Sequence, residues 1–395
     1  MVRVSSASER LAATLRETGD PTNWQSLNGL WEWEAAVDHA HGPVSHPPFG
    51  KTLNRSILVP FPVESCLSGV APQAAADIRM SMWYRLTFLA TGIAGGNFAL
   101  GSRTILHFGA VDWQSSFFLN GKHVANHSGG YDSIDIDITD ALVNDLVTLN
   151  ELLIYVYDPS NLGDQPNGKQ NIMSSFYPGG GQYTASSGIW QTVWLEVVPP
   201  VHIRSFSLNQ NSVDTITMSA HVSDAPSTVN NISNAVLFNV YERGSAIPVA
   251  TGTAAVGAAI SLKIPSPRVW GPSDPYLYDF TASLLDGAND TTTSATDISG
   301  ANDTASAIVD IIVGYFGLRS FRLGHQKGHN TTRPLLNGRF TFLAGWLDQS
   351  WWPDGQYTAP TDEALAFDLQ AVSMFGLNTI RLHMKVNPNL IRTRT

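Results

Sequence analysis

Around Arg339 the hydrophobic pattern of this chain changes its period, and that change limits the fold more than any other feature. Upstream, apolar residues alternate in short runs broken by turn residues, as half-buried strands do. Downstream, RFTFLAGWLDQSWWPDGQYTAPTDEALAFDLQAVSMFGLNTIRLHMKV reads as a strand at Phe340 to Gly345, a helix at Thr361 to Phe375 ended by Gly376, and a strand at Asn378 to Val386. Strand, helix and strand in that order predict the opening of a β/α (TIM) barrel. Roughly six further strand–helix units would be needed to close it. The sequence therefore predicts a barrel that is incomplete at Thr395.

After an N-terminal extension at 1–23, residues 24–200 read as an antiparallel β-sandwich of jelly-roll type. SMWYRLTF alternates in period two, RTILHFGAV gives another strand, and SSFFLNGKHV folds back at Asn120-Gly121, where both residues accept positive φ. DSIDIDI places Ile134, Ile136 and Ile138 on the buried face. NELLIYVYD and IWQTVWLEVV supply two more strands. After Pro199-Pro200 a second series occupies 201–318: HIRSFSLNQ, TITMSAHVS, AVLFNVYER, AAISLKIP, YLYDFTASLL and SAIVDIIVGYFGLRSF. About seven strands in a stretch of this length suit an immunoglobulin-like sandwich. DGANDTTTSATDISGANDTA, poor in apolar residues, reads as a flexible hairpin insertion. Residues 319–395 hold a linker, the Asn337-Gly338 turn and the strand–helix–strand segment. The predicted fold is mainly β: a jelly-roll β-sandwich, an immunoglobulin-like β-sandwich and the start of a β/α barrel.

The formal charge of −10, without any run of Lys or Arg, argues against nucleic acid and anionic membrane as partners and favours a neutral or polar ligand. Cys66 is the only cysteine, which excludes an intrachain disulfide and a cysteine-based zinc site. His39 and His41 lie in a Pro/Gly-rich loop and read as solvated, so no metal site is expected, nor any cofactor. Gly179 to Gly181 precede no helix, which argues against a phosphate cradle. The N-terminus lacks the apolar run of a signal peptide, and Asp310 breaks the apolar stretch at Ala307 to Phe316. Neither export signal nor membrane span is expected, which leaves the cytoplasm as the default location. Sequons at Asn54, Asn126, Asn231, Asn289, Asn302 and Asn330 permit glycosylation, although a chain rich in Asn, Ser and Thr produces several by chance.

Sandwich, sandwich and barrel in this order resemble glycoside hydrolase family 2, which includes β-galactosidases, β-glucuronidases and β-mannosidases. HFGAVDWQSSFFLNGKHVANHSGGYDSIDIDITDAL is similar to the family's sugar-binding-domain signature, and SSGIWQTVWLE to that domain's end. FGLRSFR followed by LLNGRFTFLAGW resembles its barrel entry, and LNTIRLH its second barrel strand. The resemblance implies a retaining β-glycosidase with two glutamates in the later half of the barrel, one of them usually in an Asn-Glu pair. No Asn-Glu follows Arg339, so residues 1–395 are expected to be inactive alone. NLIRTRT also departs from the aromatic, helix-forming continuation of the family, as a frameshift, retained intron or pseudogene end would. The alternative is a carbohydrate-binding or scaffolding module without catalysis, with Trp83, Trp113 and Trp190 as its aromatic candidates.

Six residues are expected to bind substrate: Asp348, Trp351, Trp352, Asp354, Arg381 and His383. The first four lie in the long loop Trp346 to Pro360, at the C-terminal end of a predicted barrel strand, where barrel enzymes place their sites. Trp351 and Trp352 offer flat faces for sugar rings, and the two aspartates accept hydroxyl hydrogen bonds. Alternatively the tryptophans pack against the barrel or the first sandwich. Arg381 and His383 share a strand face with Thr379 and Lys385 and match family residues near the substrate; the alternative is a solvated strand edge. Asp112 reads as a turn acceptor. Gln182 stands where better-known family members carry a substrate-contacting aspartate, and with Tyr183 it is a further candidate for the pocket. Unpaired Phe340, Phe342, Leu343, Trp346 and Leu382 predict an aggregation-prone edge.

Overall fold

The computed structural model describes residues 23–36, 46–70, 81–90, 101–145, 147–177, 179–223, 232–286 and 308–384. His39, His41, Lys385, Val386, NLIRTRT and nearly all of the N-terminal extension and of the insertion after Asp286 lie outside them. The chain divides into two compact units, one chiefly of residues 198–344, the other of 20–98, 103–197 and 345–395. No described helix is long and apolar enough to cross a membrane.

The second unit contains the jelly-roll sandwich. Its six-stranded sheet runs in the order Arg55–Val59, Gly29–Ala35, Ser81–Phe88, Asn150–Tyr157, Gln114–Leu119 and Lys122–Ser128. Its four-stranded sheet runs Trp24–Ser26, Val193–Val198, Arg103–Phe108 and Ile134–Asp137. Period-two alternation sends one face of each strand into a single core, in which Trp31, Phe117, Ile154, Phe108 and Leu195 are sealed from water. Ile134, Ile136 and Ile138 are buried as their spacing predicts. Asn120 and Gly121 take positive φ in the predicted hairpin turn. The Asn120 side chain fixes the turn further, since its amide donates to Asn150 Oδ1 and Ala141 O at 2.8 Å each.

The same unit holds the strand–helix–strand segment. Gly345–Asp348 pairs in parallel with Thr379–Leu382, and the helix Asp362–Met374 connects them. Thr361 caps the helix through its hydroxyl, which accepts from Ala364 N, and Asp362 and Glu363 sit in the positive first turn. The strand lies several residues later than the sequence predicts: Arg339–Phe340 is instead the return of the Asn337-Gly338 turn, paired with Leu335 and Leu336. Gly345 allows the new register, because a Cβ there would collide with the Thr379 carbonyl. The second strand is also shorter than predicted, since the chain leaves it after Leu382 and Met384 takes positive φ. Within this segment there is one parallel pair, and the described residues contain no closed barrel.

The first unit is the immunoglobulin-like sandwich. A three-stranded sheet runs Ile203–Gln210, Thr215–Val222, Ile260–Lys263, and a four-stranded sheet runs Pro248–Ala255, Ile232–Glu242, Tyr278–Asp286, Ile308–Phe316. Phe206 stacks on Phe280 at 4.8 Å within the core. Phe321–His325, Thr332–Leu336 and Arg339–Phe340 form a further small sheet.

Candidate functional site

The loop between Asp348 and the helix turns back onto the jelly-roll. Trp352 and Gln356 bridge to each other, which makes the loop a compact turn that presents Tyr357 inward. Tyr357 is 2 % exposed and packs on Trp190 at 5.3 Å, with Trp351 at 4.8 Å and Tyr131 at 6.3 Å. Backbone and side-chain bonds fasten the same loop. Leu67 N donates to Asp354 O, Gln356 Nε2 donates to Glu64 O, and the Thr358 hydroxyl lies 2.5 Å from Trp190 O and 3.0 Å from Pro60 O. Each of these ties a residue near 356 to one more than 160 positions away, a contact no local pattern encodes.

Tyr183 closes one side. Gln170–Asn171 pairs with Tyr183–Thr184, and the Tyr183 ring stacks on Trp351 at 4.9 Å with 18° between planes. Its hydroxyl donates to Gln349 Oε1 at 2.7 Å, and His383 lies 6.5 Å from its ring. One face of Trp351 is thus occupied by tyrosine. Gln182 is exposed, in a turn in which its N–H donates to Gly179 O.

Behind the aromatic group lie three carboxyls that the sequence did not bring together. Asp112 Oδ2 accepts from Gln170 Nε2 at 2.9 Å, and Gln170 Oε1 accepts from Ser186 N. Asp158 accepts from Ser187 Oγ at 2.6 Å and from Ser160 N, while Glu64 Oε2 accepts from Ser187 N at 2.8 Å. Asp112 is therefore not a turn acceptor. It lies in the strand Val111–Asp112, 3 % exposed, paired with Gly188–Ile189. Elsewhere the sandwich pairs its enclosed charges: Arg85 bridges Glu32 and Glu151, and His107 sits between Asp135 and Glu196. None of the ion pairs among the described residues reaches Glu64, Asp112 or Asp158. Burial accordingly raises the proton affinity of all three, and the Asp158 charge adds to the effect on Asp112 and Glu64. Burial likewise pushes the Tyr84 hydroxyl up, and that oxygen accepts from Ile189 N. The described residues contain no group of His, Cys, Asp and Glu arranged to hold a metal ion.

The six predicted substrate residues occupy different settings. Asp348 is buried, and its carboxylate caps Ser350 through the N–H at 2.6 Å and the hydroxyl at 3.0 Å. It also lies close enough to helix residue Asp368 to raise that group's proton affinity, secondary to burial. Trp351 and Trp352 are half-buried and Asp354 is exposed. Arg381 is exposed on the strand, and His383 is held by its N–H on Asp348 O at 2.9 Å. Of the alternative aromatic platform, Trp83 and Trp190 are buried, Trp190 with its indole N–H on Gly130 O, and Trp113 is half-buried.

The model for glycosyl hydrolases family 2 matches residues 201–300. The chain is 23% identical over 328 residues to "Putative beta-glucuronidase" of Formosa agariphila, covering 80% of this chain and 33% of that protein. It is 25% identical over 218 residues to a β-galactosidase of Thermoanaerobacter pseudethanolicus, covering 53% of this chain and 26% of that one. The structure of Ruminococcus gnavus β-glucuronidase superposes with a TM-score of 0.67 at 15% identity, over 94% of this chain and 55% of that chain, a likeness of fold. The chain thus spans a quarter to a third of these curated relatives and about half of the solved structure. Its two β-sandwiches, the match of the family model to residues 201–300 and these relatives make the chain similar to glycoside hydrolase family 2.

Proposed function

We propose that this chain is the sugar-recognising portion of a β-glycosidase that hydrolyses O-glycosyl bonds, and that residues 1–395 do not hydrolyse such bonds by themselves. The observation that carries this reading is the loop 349–358, which leaves the C-terminal end of a parallel strand and docks its aromatic residues on the jelly-roll. Strand ends of this kind are where β/α enzymes gather their substrates. Trp352 and Asp354 offer an aromatic face and an acceptor to a sugar hydroxyl, and Arg381 and His383 offer donors. Asp348 and Trp351 act through the loop, the first by capping Ser350, the second by its stack with Tyr183.

Retaining hydrolysis needs two carboxyls about 5 to 5.5 Å apart across the scissile bond, one protonated and one ionised. Downstream of Arg339 the sequence has one glutamate, Glu363, which lies in the first turn of the helix. Glu64, Asp112 and Asp158 are engaged with Ser187, Ser160 and Gln170, where they shape the sandwich end. The names of the relatives nominate glucuronides and galactosides as ligands.

The test is a titration of the purified chain with phenyl β-D-glucuronide and phenyl β-D-galactoside, followed by tryptophan fluorescence. A saturable change is expected, weakened about tenfold by Trp352→Ala, the loss of roughly one stacking contact. Flat titrations with both compounds would end the reading.

A further inference from the structure

The buried carboxyls of Glu64, Asp112 and Asp158 converge on one short segment of the jelly-roll, Ser186 to Gly188. Ser187 is held by two of them, its N–H donating to Glu64 Oε2 at 2.8 Å and its hydroxyl to Asp158 Oδ2 at 2.6 Å. Ser186 N donates to Gln170 Oε1, and Gln170 Nε2 donates to Asp112 Oδ2 at 2.9 Å. Gly188 pairs with Asp112 across the strands. The surroundings are tightly filled: a Cβ added to Gly188 would collide with the Tyr84 hydroxyl, and one added to Gly130 with Asp112 Oδ1.

The same part of the sandwich is the platform for loop 349–358. Just beyond Gly188, Trp190 receives the Tyr357 ring on its indole and the Thr358 hydroxyl on its carbonyl. Glu64 accepts from Gln356 Nε2 through its main-chain carbonyl while its carboxyl holds Ser187, and nearby Leu67 N donates to Asp354 O. Gln170 adds a third route, since its Nε2 also lies 3.3 Å from the Tyr131 hydroxyl, and the Tyr131 ring packs on Tyr357. Three attachments of the loop thus lead back, within a few residues, to an enclosed carboxyl.

Ionisation of these acids works against the arrangement. Enclosed carboxylates around one segment repel each other, and burial removes the solvent screening that would weaken the repulsion. None of the ion pairs among the described residues reaches them. The titratable groups that face them are the hydroxyls of Tyr84, Tyr131 and Tyr357, which burial pushes further up, so that all three stay uncharged. On the flanking turns, Lys169 beside Gln170 is exposed, and His127 and Asp132 border Gly129.

We propose that Glu64, Asp112 and Asp158 form a proton-dependent latch, which holds loop 349–358 on the jelly-roll while the acids are protonated and loosens it as they ionise. The latch acts on the loop with or without a ligand. Burial raises the proton affinity of each acid, so docking is complete below the ordinary carboxyl values of 3.8 and 4.5 and is lost as the pH rises through the higher folded values.

Amide exchange of the full chain between about pH 4 and about pH 8, corrected for the pH dependence of the chemical step, tests the latch. In the parent, protection across 349–358 is expected to fall about tenfold, while the strand Asn150–Tyr157 keeps its own. Glu64→Gln and Asp112→Asn retain an acceptor and remove the charge. Combined, they are expected to hold the loop at the upper pH as firmly as the parent does at the lower. Each single variant is expected to respond less than the parent, which keeps the test decisive if the double variant does not fold. His107, enclosed between Asp135 and Glu196, is a rival titrating group in the same unit, and His107→Gln is expected to leave the loop's response unchanged. A flat parent profile, a loss shared equally by Asn150–Tyr157, single variants that respond as the parent does, or a response that vanishes with His107→Gln overturns the inference. No ligand enters the measurement, so a chain that binds no glycoside leaves the latch standing, and one that binds a glycoside does not rescue it.

Discussion

Within one compact unit the jelly-roll and the strand–helix–strand segment enclose their apolar side chains to different degrees. In the sandwich Trp31 is 2 % exposed, and Phe117 and Ile154 are fully enclosed; in the segment Phe367 is 61 %, Met374 81 % and Phe375 74 % exposed. The sandwich is a self-contained core. The segment buries one face of its helix, with Leu365, Ala366, Ala371 and Val372, and is fastened to the sandwich by its loop through Tyr357, Gln356 and Thr358. The candidate site lies at that attachment, because the loop that fastens the segment also carries Trp351, Trp352 and Asp354.

The largest expected effect tests the sandwich side. Trp31→Ala removes a side chain sealed between the sheets and should cost about 3–5 kcal/mol in urea unfolding; a loss under about 1 kcal/mol would show that the core is not shared as described. Tyr357→Ala should cost about 3 kcal/mol locally and appear as faster amide exchange across 345–384 while the sandwich keeps its protection. Exchange that stays slow there would mean another anchor holds the segment.

The buried acids give a third, pH-dependent test. Burial raises Asp112 above its ordinary value of 3.8, so its contribution to stability is complete below that value and is lost as the pH rises through the higher folded value. Asp112→Asn keeps the acceptor for Gln170 and removes the charge. Its stability should fall less than the parent's between pH 4 and pH 8 in urea unfolding; an unchanged slope would mean that the Asp112 charge carries no strain. Last, Phe375→Ser on the open helix should alter stability by less than about 0.5 kcal/mol, yet reduce self-association in light scattering. A large destabilisation would mean that Phe375 is covered in solution.

What the sequence revealed about this comparison follows the range of the contacts involved. Asn120-Gly121, the alternating Ile134, Ile136 and Ile138, and the Thr361 cap are local signals, and each is found where local chemistry puts it. The strand Pro248–Ala255 is absent from the sequence reading because PVATGTAA offers small side chains and no apolar alternation. Its place is set by pairing with Ile232–Glu242. The shift to Gly345–Asp348 escaped for a similar reason: Phe340 and Phe342 look like strand residues, while the deciding contact is the approach of Gly345 to Thr379 across the pair. At the site, Trp351, Arg381 and His383 were legible as residue types. Tyr183 was legible only as a possible pocket residue, and its stack on Trp351 and the grouping of Glu64, Asp112 and Asp158 were not, since each joins segments far apart in the chain. An acidic residue amid apolar strand letters, as in AVDW and YVYD, is the one local hint of enclosed carboxyls.

The central claim is that recognition of a glycoside resides in this chain and the catalytic carboxyl pair does not. Its most direct test is release of 4-nitrophenol from 4-nitrophenyl β-D-glucuronide and β-D-galactoside by the purified chain, with bound ligand measured in the same samples. The account predicts saturable binding with no release above the buffer rate. Release that disappears when a carboxylate within residues 1–395 is changed to its amide would contradict it.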